Sequence, residues 1–334
     1  MKSIILSLLI IVCAASGMAA LEVVATLPNY AWLASEIGGP YVHVRSIVLP
    51  DQDPHFVRPK PSYAIMLQKA DLFISTGLDL ELWSPALLDK ASNSRILEGS
   101  PGYCAIRDGV PLMEVPTTLS RSFGDLHIYG NPHFYQSPVH LKLGAHNVLN
   151  ALMRVDGPHA AEYQKRFDNL MDRWARALYG DVLVKLVAVD DLDHWTADGS
   201  LLSKLKEKGL DDKLGGWMKK GMPLRGRKGI NYHTNWTYFN AVFGIQTAGY
   251  LEPKPGIPPS PKDVENLIET VKKEKVDFIF DAPYYEENKM KRISEAIGVP
   301  YAIVPVFVGD AGAKDFFSLM DITLDRLLAL IKDK

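Results

Sequence analysis

Short apolar runs alternate with amphipathic stretches along most of this chain. Residues 21–27 (LEVVATL), 42–48 and 72–75 are apolar and partly β-branched, which predicts buried strands. Between these runs, residues 29–37 and 62–69 repeat apolar side chains at helical spacing. Strands that alternate with helices in this way predict a parallel sheet covered by helices.

The second half of the chain repeats this alternation after a long helical middle. Residues 139–153 and 158–179 predict two helices, and the second is long enough to bridge two lobes. The later predicted strands are 229–232, 276–281 and 301–306, and the later predicted helices are 264–275, 288–298 and 314–331.

These elements predict an α/β fold of two lobes, each a mainly parallel sheet flanked by helices, joined by one long interlobe helix. The expected limits are a signal peptide at 1–20, an N-terminal α/β lobe at 21–157, the interlobe helix at 158–180, and a C-terminal α/β lobe at 181–334 with an inserted segment at 181–226.

Residues 1–20 have the composition of a secretory signal, with Lys2 followed by an apolar stretch and then small residues. We therefore expect export to the periplasm or another extracytoplasmic location. Cys104 is the only cysteine left after cleavage, which excludes an intrachain disulfide and a thiolate zinc cluster. The formal net charge of −2 offers no basic excess for nucleic-acid binding.

Three of the nine histidines have similar surroundings. His55 lies in the segment DPHF and His133 in the segment NPHF, both after apolar stretches. His233 directly follows the predicted strand 229–232, at the carboxyl end where ligands gather in open α/β sheets. Neutral imidazole suits zinc, copper, iron or nickel. Three imidazoles and one oxygen ligand would complete the four-coordinate geometry that zinc prefers.

Four segments together resemble the metal-binding receptors of bacterial zinc and manganese ABC importers, the cluster A-I solute-binding proteins. They are DPHFVRPKPS, NPHFYQSP, the YH…YF segment and EPKPGIPPSPKDVENLIETVKKEKVDFIF. The similarity covers residues 23–179 and 228–331, and PGIPPSPKD is its most specific piece. The resemblance implies that His55, His133 and His233 supply nitrogen ligands to the metal. Manganese-binding members usually have a carboxylate at the third position, so His233 favours Zn²⁺, with Mn²⁺ or Fe²⁺ as alternatives.

The chain departs from this family at the fourth ligand. The family has an acidic residue after its last strand, but that position falls near the apolar Val306. Asp281 ends a predicted parallel strand and is the expected replacement, with Asp310 or water as alternatives. His127, in GDLHIYGNPH, is an extra histidine near the site. We expect it to be a structural residue of a hairpin. The alternatives are that it accepts the metal transiently or supports one of the ligands. The inserted segment 181–226 is a second departure, and its role stays open.

The resemblance implies a receptor and not an enzyme. We expect a monomer that binds a transition-metal ion between its lobes and delivers it to a membrane ABC permease. A zinc-dependent hydrolase with the same three histidines is one alternative, but the chain lacks an HExxH motif and a glutamate in the histidine segments. A surface adhesin that keeps the metal for structure is another.

Overall fold

The computed structural model describes residues 19–116, 127–252 and 261–332, and it contains two parallel sheets of four strands each. The strand order is β2-β1-β3-β4 in the first sheet and β6-β5-β7-β8 in the second. The strands are β1 (Leu21–Ala25), β2 (Val42–Ser46), β3 (Leu72–Ser75), β4 (Tyr103–Ala105), β5 (Lys228–Asn231), β6 (Gln246–Tyr250), β7 (Phe278–Asp281) and β8 (Tyr301–Ile303).

Helices follow the strands in the same order in both halves, and several of them begin at a proline, whose fixed φ suits the first turn. The α-helices are α1 (Pro28–Gly38), α2 (Pro61–Lys69), α3 (Ser84–Ala91), α4 (Pro138–Val155), α5 (Ala160–Tyr179), α6 (Leu183–Leu186), α7 (Val189–Ala197), α8 (Leu201–Glu207), α9 (Gly216–Lys220), α10 (Thr237–Phe243), α11 (Pro261–Glu274), α12 (Glu287–Ile297) and α13 (Phe316–Ala329). The predicted fold class is confirmed.

Each half therefore forms a lobe with the same topology. The first lobe runs β1-α1-β2-α2-β3-α3-β4-α4, and the second runs β5-α10-β6-α11-β7-α12-β8-α13. In each sheet the order of connection reverses between two central strands, β1 and β3 or β5 and β7. Ligands of open α/β sheets bind at the carboxyl ends of the strands near such a reversal. The topology thus gives both lobes the same kind of ligand-binding edge.

Helix α5 packs against both lobes, with contacts to α1, α4 and α9. The ring of Trp174, which is fully buried, lies 5.5 Å from that of Trp32 in α1 and 5.1 Å from that of Phe316 in α13. One hydrophobic core consequently continues through both lobes. The helix begins two residues later than predicted, because Pro158 belongs to a short 3-10 helix (Gly157–His159).

Residues 181–226, predicted to be an inserted segment, form short helices that pack against neighbouring helices. A buried ion pair joins Lys142 of α4 to Asp193 of α7, and Asp193 also accepts a hydrogen bond from Tyr179 of α5 at 2.9 Å. Trp217 of α9 donates to Asp321 of α13 at 3.1 Å. These contacts attach the segment to α4, α5 and α13.

The predicted signal peptide and the PGIPPSPKD segment lie largely outside the described residues. None of the described helices combines the length and apolar character that crossing a membrane requires.

Cys104 is a buried free cysteine, and burial raises the pKa of its thiol to about 12. The thiol is therefore protonated at neutral pH, which makes it a poor metal ligand.

Candidate metal centre

Four histidines come together where the two lobes meet. Each offers one ring nitrogen, and these nitrogens all lie within 4.8 Å of one another. Their ring centroids are 5.1 to 6.1 Å apart in all six pairs. Tetrahedral zinc with Zn–N distances of about 2.0–2.1 Å places its ligand nitrogens roughly 3.4 Å apart. A small contraction would therefore suit a single ion. The members of this histidine cluster are His55, His127, His133 and His233.

The DPHF and NPHF loops hold their histidines in the same way. Asp53 Oδ1 accepts hydrogen bonds from the backbone nitrogen of His55 at 2.9 Å and from its Nδ1 at 2.8 Å. Asn131 Oδ1 accepts the same two bonds from His133, again at 2.9 and 2.8 Å. A neutral ring that donates from Nδ1 has its lone pair on Nε2. Both rings thus present Nε2 as the ligand atom.

His127 is held by an aspartate that follows strand β3. Asp79 Oδ1 accepts from His127 Nδ1 at 3.0 Å, and Asp79 Oδ2 accepts from the backbone nitrogen of Ile128 at 2.9 Å. The Nε2 atoms of His127 and His55 are then 3.4 Å apart. In the neutral form of both rings, with Nδ1–H donating to the carboxylates, both Nε2 atoms carry lone pairs, and these repel each other. A bound cation would turn this repulsion into attraction.

His233 is carried by a turn that forms around Asp281. Four N–H groups donate to the Asp281 carboxylate: the backbone nitrogens of Tyr232 and Ala282, Nδ2 of Asn235 and Nε1 of Trp236. Burial is the main reason that the pKa of Asp281 is raised to about 8, and hydrogen bonds from Ala282, Asn235, Trp236 and the backbone of His233 act in the opposite direction. Asp281 therefore holds residues on both sides of His233, and both of its oxygens already accept hydrogen bonds.

Burial lowers the pKa of His133 and His233 well below 6.5, and neighbouring imidazoles of the cluster lower it further. Both rings are consequently neutral at neutral pH, which is the metal-binding form. Within the described part of the chain, His133 Nε2 and His233 Nδ1 are buried without a hydrogen-bond partner. Each such atom costs about 1–3 kcal/mol. A metal ion would give both atoms a partner.

The structure brings three predicted ligands together, namely His55, His133 and His233. It adds His127, for which a structural place in a hairpin was expected. It does not bring Asp281 or Asp310 into the histidine cluster. The turn from His127 to His133 passes through Gly130, whose φ of 108° suits glycine. The spacing of these two histidines around a glycine was the available signal for His127.

Comparison with known proteins shows the family of the chain. Residues 23–178 and 208–329 match the family model of ZnuA, described as zinc-uptake complex component A, periplasmic. The chain belongs to the ZnuA family. The resemblance identified from the sequence is thus confirmed. Residues 179–207, which include α6, α7 and α8, lie between the two matched ranges.

Curated relatives of this ZnuA-family protein match almost its whole length. The metal ABC transporter substrate-binding lipoprotein SsaB of Streptococcus sanguinis is 23% identical over 318 residues, covering 94% of this chain and 90% of its own. The manganese ABC transporter substrate-binding lipoprotein PsaA of Streptococcus pneumoniae is 24% identical over 332 residues, covering 96% of this chain and 94% of its own. These are substrate-binding proteins and not enzymes, which confirms that part of the prediction.

Solved structures show the same fold. The crystal structure of ZnuA has a TM-score of 0.66 at 18% identity and covers 92% of this chain and 97% of its own. The structure of FpvC from Pseudomonas aeruginosa in complex with Mn²⁺ has a TM-score of 0.68 at 19% identity, covering 94% and 99%. Both comparisons support the two-lobed architecture.

Proposed function

We propose that this protein is an extracytoplasmic receptor that captures a divalent transition metal, Zn²⁺ in preference to Mn²⁺ or Fe²⁺, and delivers it to an ABC permease. The observation that carries the proposal is the convergence of four imidazoles at the lobe junction, with one nitrogen of each within 4.8 Å of the others. The family description and the transporter relatives support delivery and an extracytoplasmic location. The proposed ligands are His55, His127 and His133 through Nε2 and His233 through Nδ1.

In this proposal His127 is the fourth ligand, the role for which Asp281 was expected. The Nε2 of His127 lies 3.4 Å from that of His55, close to the separation of two ligands of one zinc ion. The Asp281 oxygens, in contrast, already accept four N–H donors. An oxygen that served both the turn and a metal ion would have to give up part of this bonding.

The charge around the histidine cluster also supports zinc. All four proposed ligands are imidazoles, and two of them, His55 and His127, donate to the carboxylates of Asp53 and Asp79. A carboxylate behind a ligating histidine orients the ring and raises its basicity. Two such carboxylates balance the charge of a divalent ion without contacting it. Manganese favours oxygen ligands, and it stands below zinc in the general affinity order for nitrogen sites.

We therefore expect Zn²⁺ to bind with one ion per protein and at least about 100-fold more tightly than Mn²⁺. Isothermal titration of the metal-free protein with each ion, and with one ion in competition against the other, measures this ratio. Equal affinities, or tighter binding of Mn²⁺, would contradict the preference for zinc. If neither ion binds, the proposed receptor function is contradicted.

Removal of the metal is expected to leave the protein folded. The main hydrophobic core runs through both lobes, so apolar packing holds the lobes together in the absence of the ion. Far-UV circular dichroism of the chelated protein should match that of the zinc-bound protein, and zinc should rebind on addition. Unfolding on chelation would favour the metal-stabilised adhesin instead.

A further inference from the structure

Asn131 differs from its counterpart Asp53 in one chemical respect. Both residues hold the histidine two positions later through Oδ1 with the same pair of bonds. A carboxylate is therefore sufficient for that task, as Asp53 demonstrates. Asparagine adds a second group, the Nδ2 amide, which can donate two hydrogen bonds where a carboxylate donates none.

The Nδ2 amide of Asn131 reaches the second lobe. It lies 2.9 Å from the backbone oxygen of Thr234, the residue after His233, and 3.2 Å from Thr237 Oγ1 at the start of α10. It also lies 2.7 Å from Glu114 Oε2 of the first lobe, and Glu114 Oε1 accepts from the same Thr237 hydroxyl at 3.1 Å. A carboxylate and a carbonyl can only accept, so the orientation of the amide is determined.

These bonds are buried at Asn131 and reach the surface at Glu114. Asn131 is 2% exposed, and its backbone oxygen accepts from the Tyr238 hydroxyl of the second lobe at 2.6 Å. Glu114 has a φ of 52°, a left-handed conformation that is uncommon outside glycine and persists where surrounding contacts hold it. The Thr237 hydroxyl and the Asn131 amide are both contacts of its carboxylate.

We propose that Asn131 is a positioning residue that joins the ligand loops of the two lobes, so that metal affinity depends on its Nδ2 amide as well as on its Oδ1. Through one side chain, it fixes the ring of His133 and the backbone next to His233. This inference rests on the proposed function. Asn131, Glu114, Thr234 and Thr237 form a hydrogen-bonded bridge between the lobes. We infer that this bridge sets the spacing between the metal ligands of the two lobes before the metal binds.

The variant Asn131→Asp separates the two tasks of this side chain. The new carboxylate keeps an acceptor for His133, as Asp53 does for His55, but it loses the amide donors and faces the Glu114 carboxylate. We expect zinc affinity to fall about 10–100-fold, the range typical of groups that support metal ligands. Adding Glu114→Gln should restore most of this loss, because the glutamine amide can donate to the new carboxylate. Isothermal titration with Zn²⁺ measures all three proteins.

Asn93→Asp is the matched control. Asn93 is also buried, accepts from the backbone nitrogen of Arg95 at 3.2 Å and donates from Nδ2 to the backbone oxygens of Leu67 and Ala70. Its replacement should lower the melting temperature and leave zinc affinity within about twofold, because it lies outside the groups that support the metal ligands.

A second variant, Thr237→Val, tests the bridge from the other lobe without a change at the loop that carries His133. It removes a hydroxyl that Asn131 and Glu114 share, and we expect a loss of zinc affinity of several-fold. Wild-type affinity in Asn131→Asp, or a loss that Glu114→Gln fails to reverse, would overturn the bridge. Failure of the wild-type protein to bind Zn²⁺ would overturn the proposed function instead, so the two failures are distinguishable.

Discussion

Replacing His133 with alanine is expected to weaken zinc binding by at least about 100-fold, more than the change of a group behind a ligand. The fold should survive. In the metal-free protein, His133 Nε2 is buried without a partner among the described residues, so its loss removes an unfavourable group along with the bond to Asn131. Isothermal titration with Zn²⁺, together with thermal unfolding with and without the ion, measures both effects.

His146→Ala is the control for this experiment. His146 lies on α4, its ring is 4.7 Å from that of Phe167, and it is outside the histidine cluster. Its replacement should leave zinc affinity within about twofold of wild type, because it neither ligates the ion nor supports a ligand. The account predicts that zinc raises the melting temperature of His146→Ala and of the wild type but not of His133→Ala. Retention of tight zinc binding by His133→Ala would contradict the site.

The second large effect concerns the fourth ligand. His127→Ala is expected to lower zinc affinity at least about 100-fold with little change in the stability of the metal-free protein. Asp281→Asn is expected to do the reverse. Its oxygen can still accept from Asn235 and Trp236, but its amide nitrogen would face the backbone N–H of Tyr232, which should lower the free energy of unfolding by about 1–3 kcal/mol. Zinc affinity in the folded Asp281→Asn protein should remain within about tenfold of wild type.

Titration calorimetry and urea unfolding of these two variants distinguish the assignments. If Asp281→Asn loses zinc binding while His127→Ala retains it, the carboxylate is the fourth ligand, as the strand-end argument from the sequence expected. If both lose zinc binding without unfolding, the ion has more ligands than the cluster of four imidazoles provides.

The strands that the sequence predicts correctly are those with continuous apolar or β-branched runs. Strand β3 (Leu72–Ser75) is buried throughout and has the predicted bounds. Strand β6 (Gln246–Tyr250) was not predicted, because it borders the sheet, has exposed positions and carries Gln, Thr and Gly in place of an apolar run. A strand that is buried on both faces has an apolar sequence that can be recognised, whereas a strand at the edge of a sheet does not need one.

The site could be predicted in part for a related reason. His233 follows a predicted strand, and His55 and His133 lie in similar PHF segments. These signals were sufficient to predict that the three histidines meet, because the topology of an α/β sheet fixes the edge where ligands bind. The carboxylate of Asp281 ends a strand at the same kind of edge, but its use by a turn depends on donors up to 49 residues away. The place of His127 depends on Asp79, 48 residues earlier in the chain. Pairings of that kind arise only from tertiary structure.

The central claim is that four imidazoles share one ion. A crystal structure of the zinc-loaded protein, supported by X-ray absorption at the zinc edge, tests it most directly. The account predicts one zinc ion with four nitrogen ligands at about 2.0–2.1 Å, supplied by His55, His127, His133 and His233. A zinc ion bound to an oxygen of Asp281 or Asp310 in place of His127, or to fewer than three of these histidines, would contradict it.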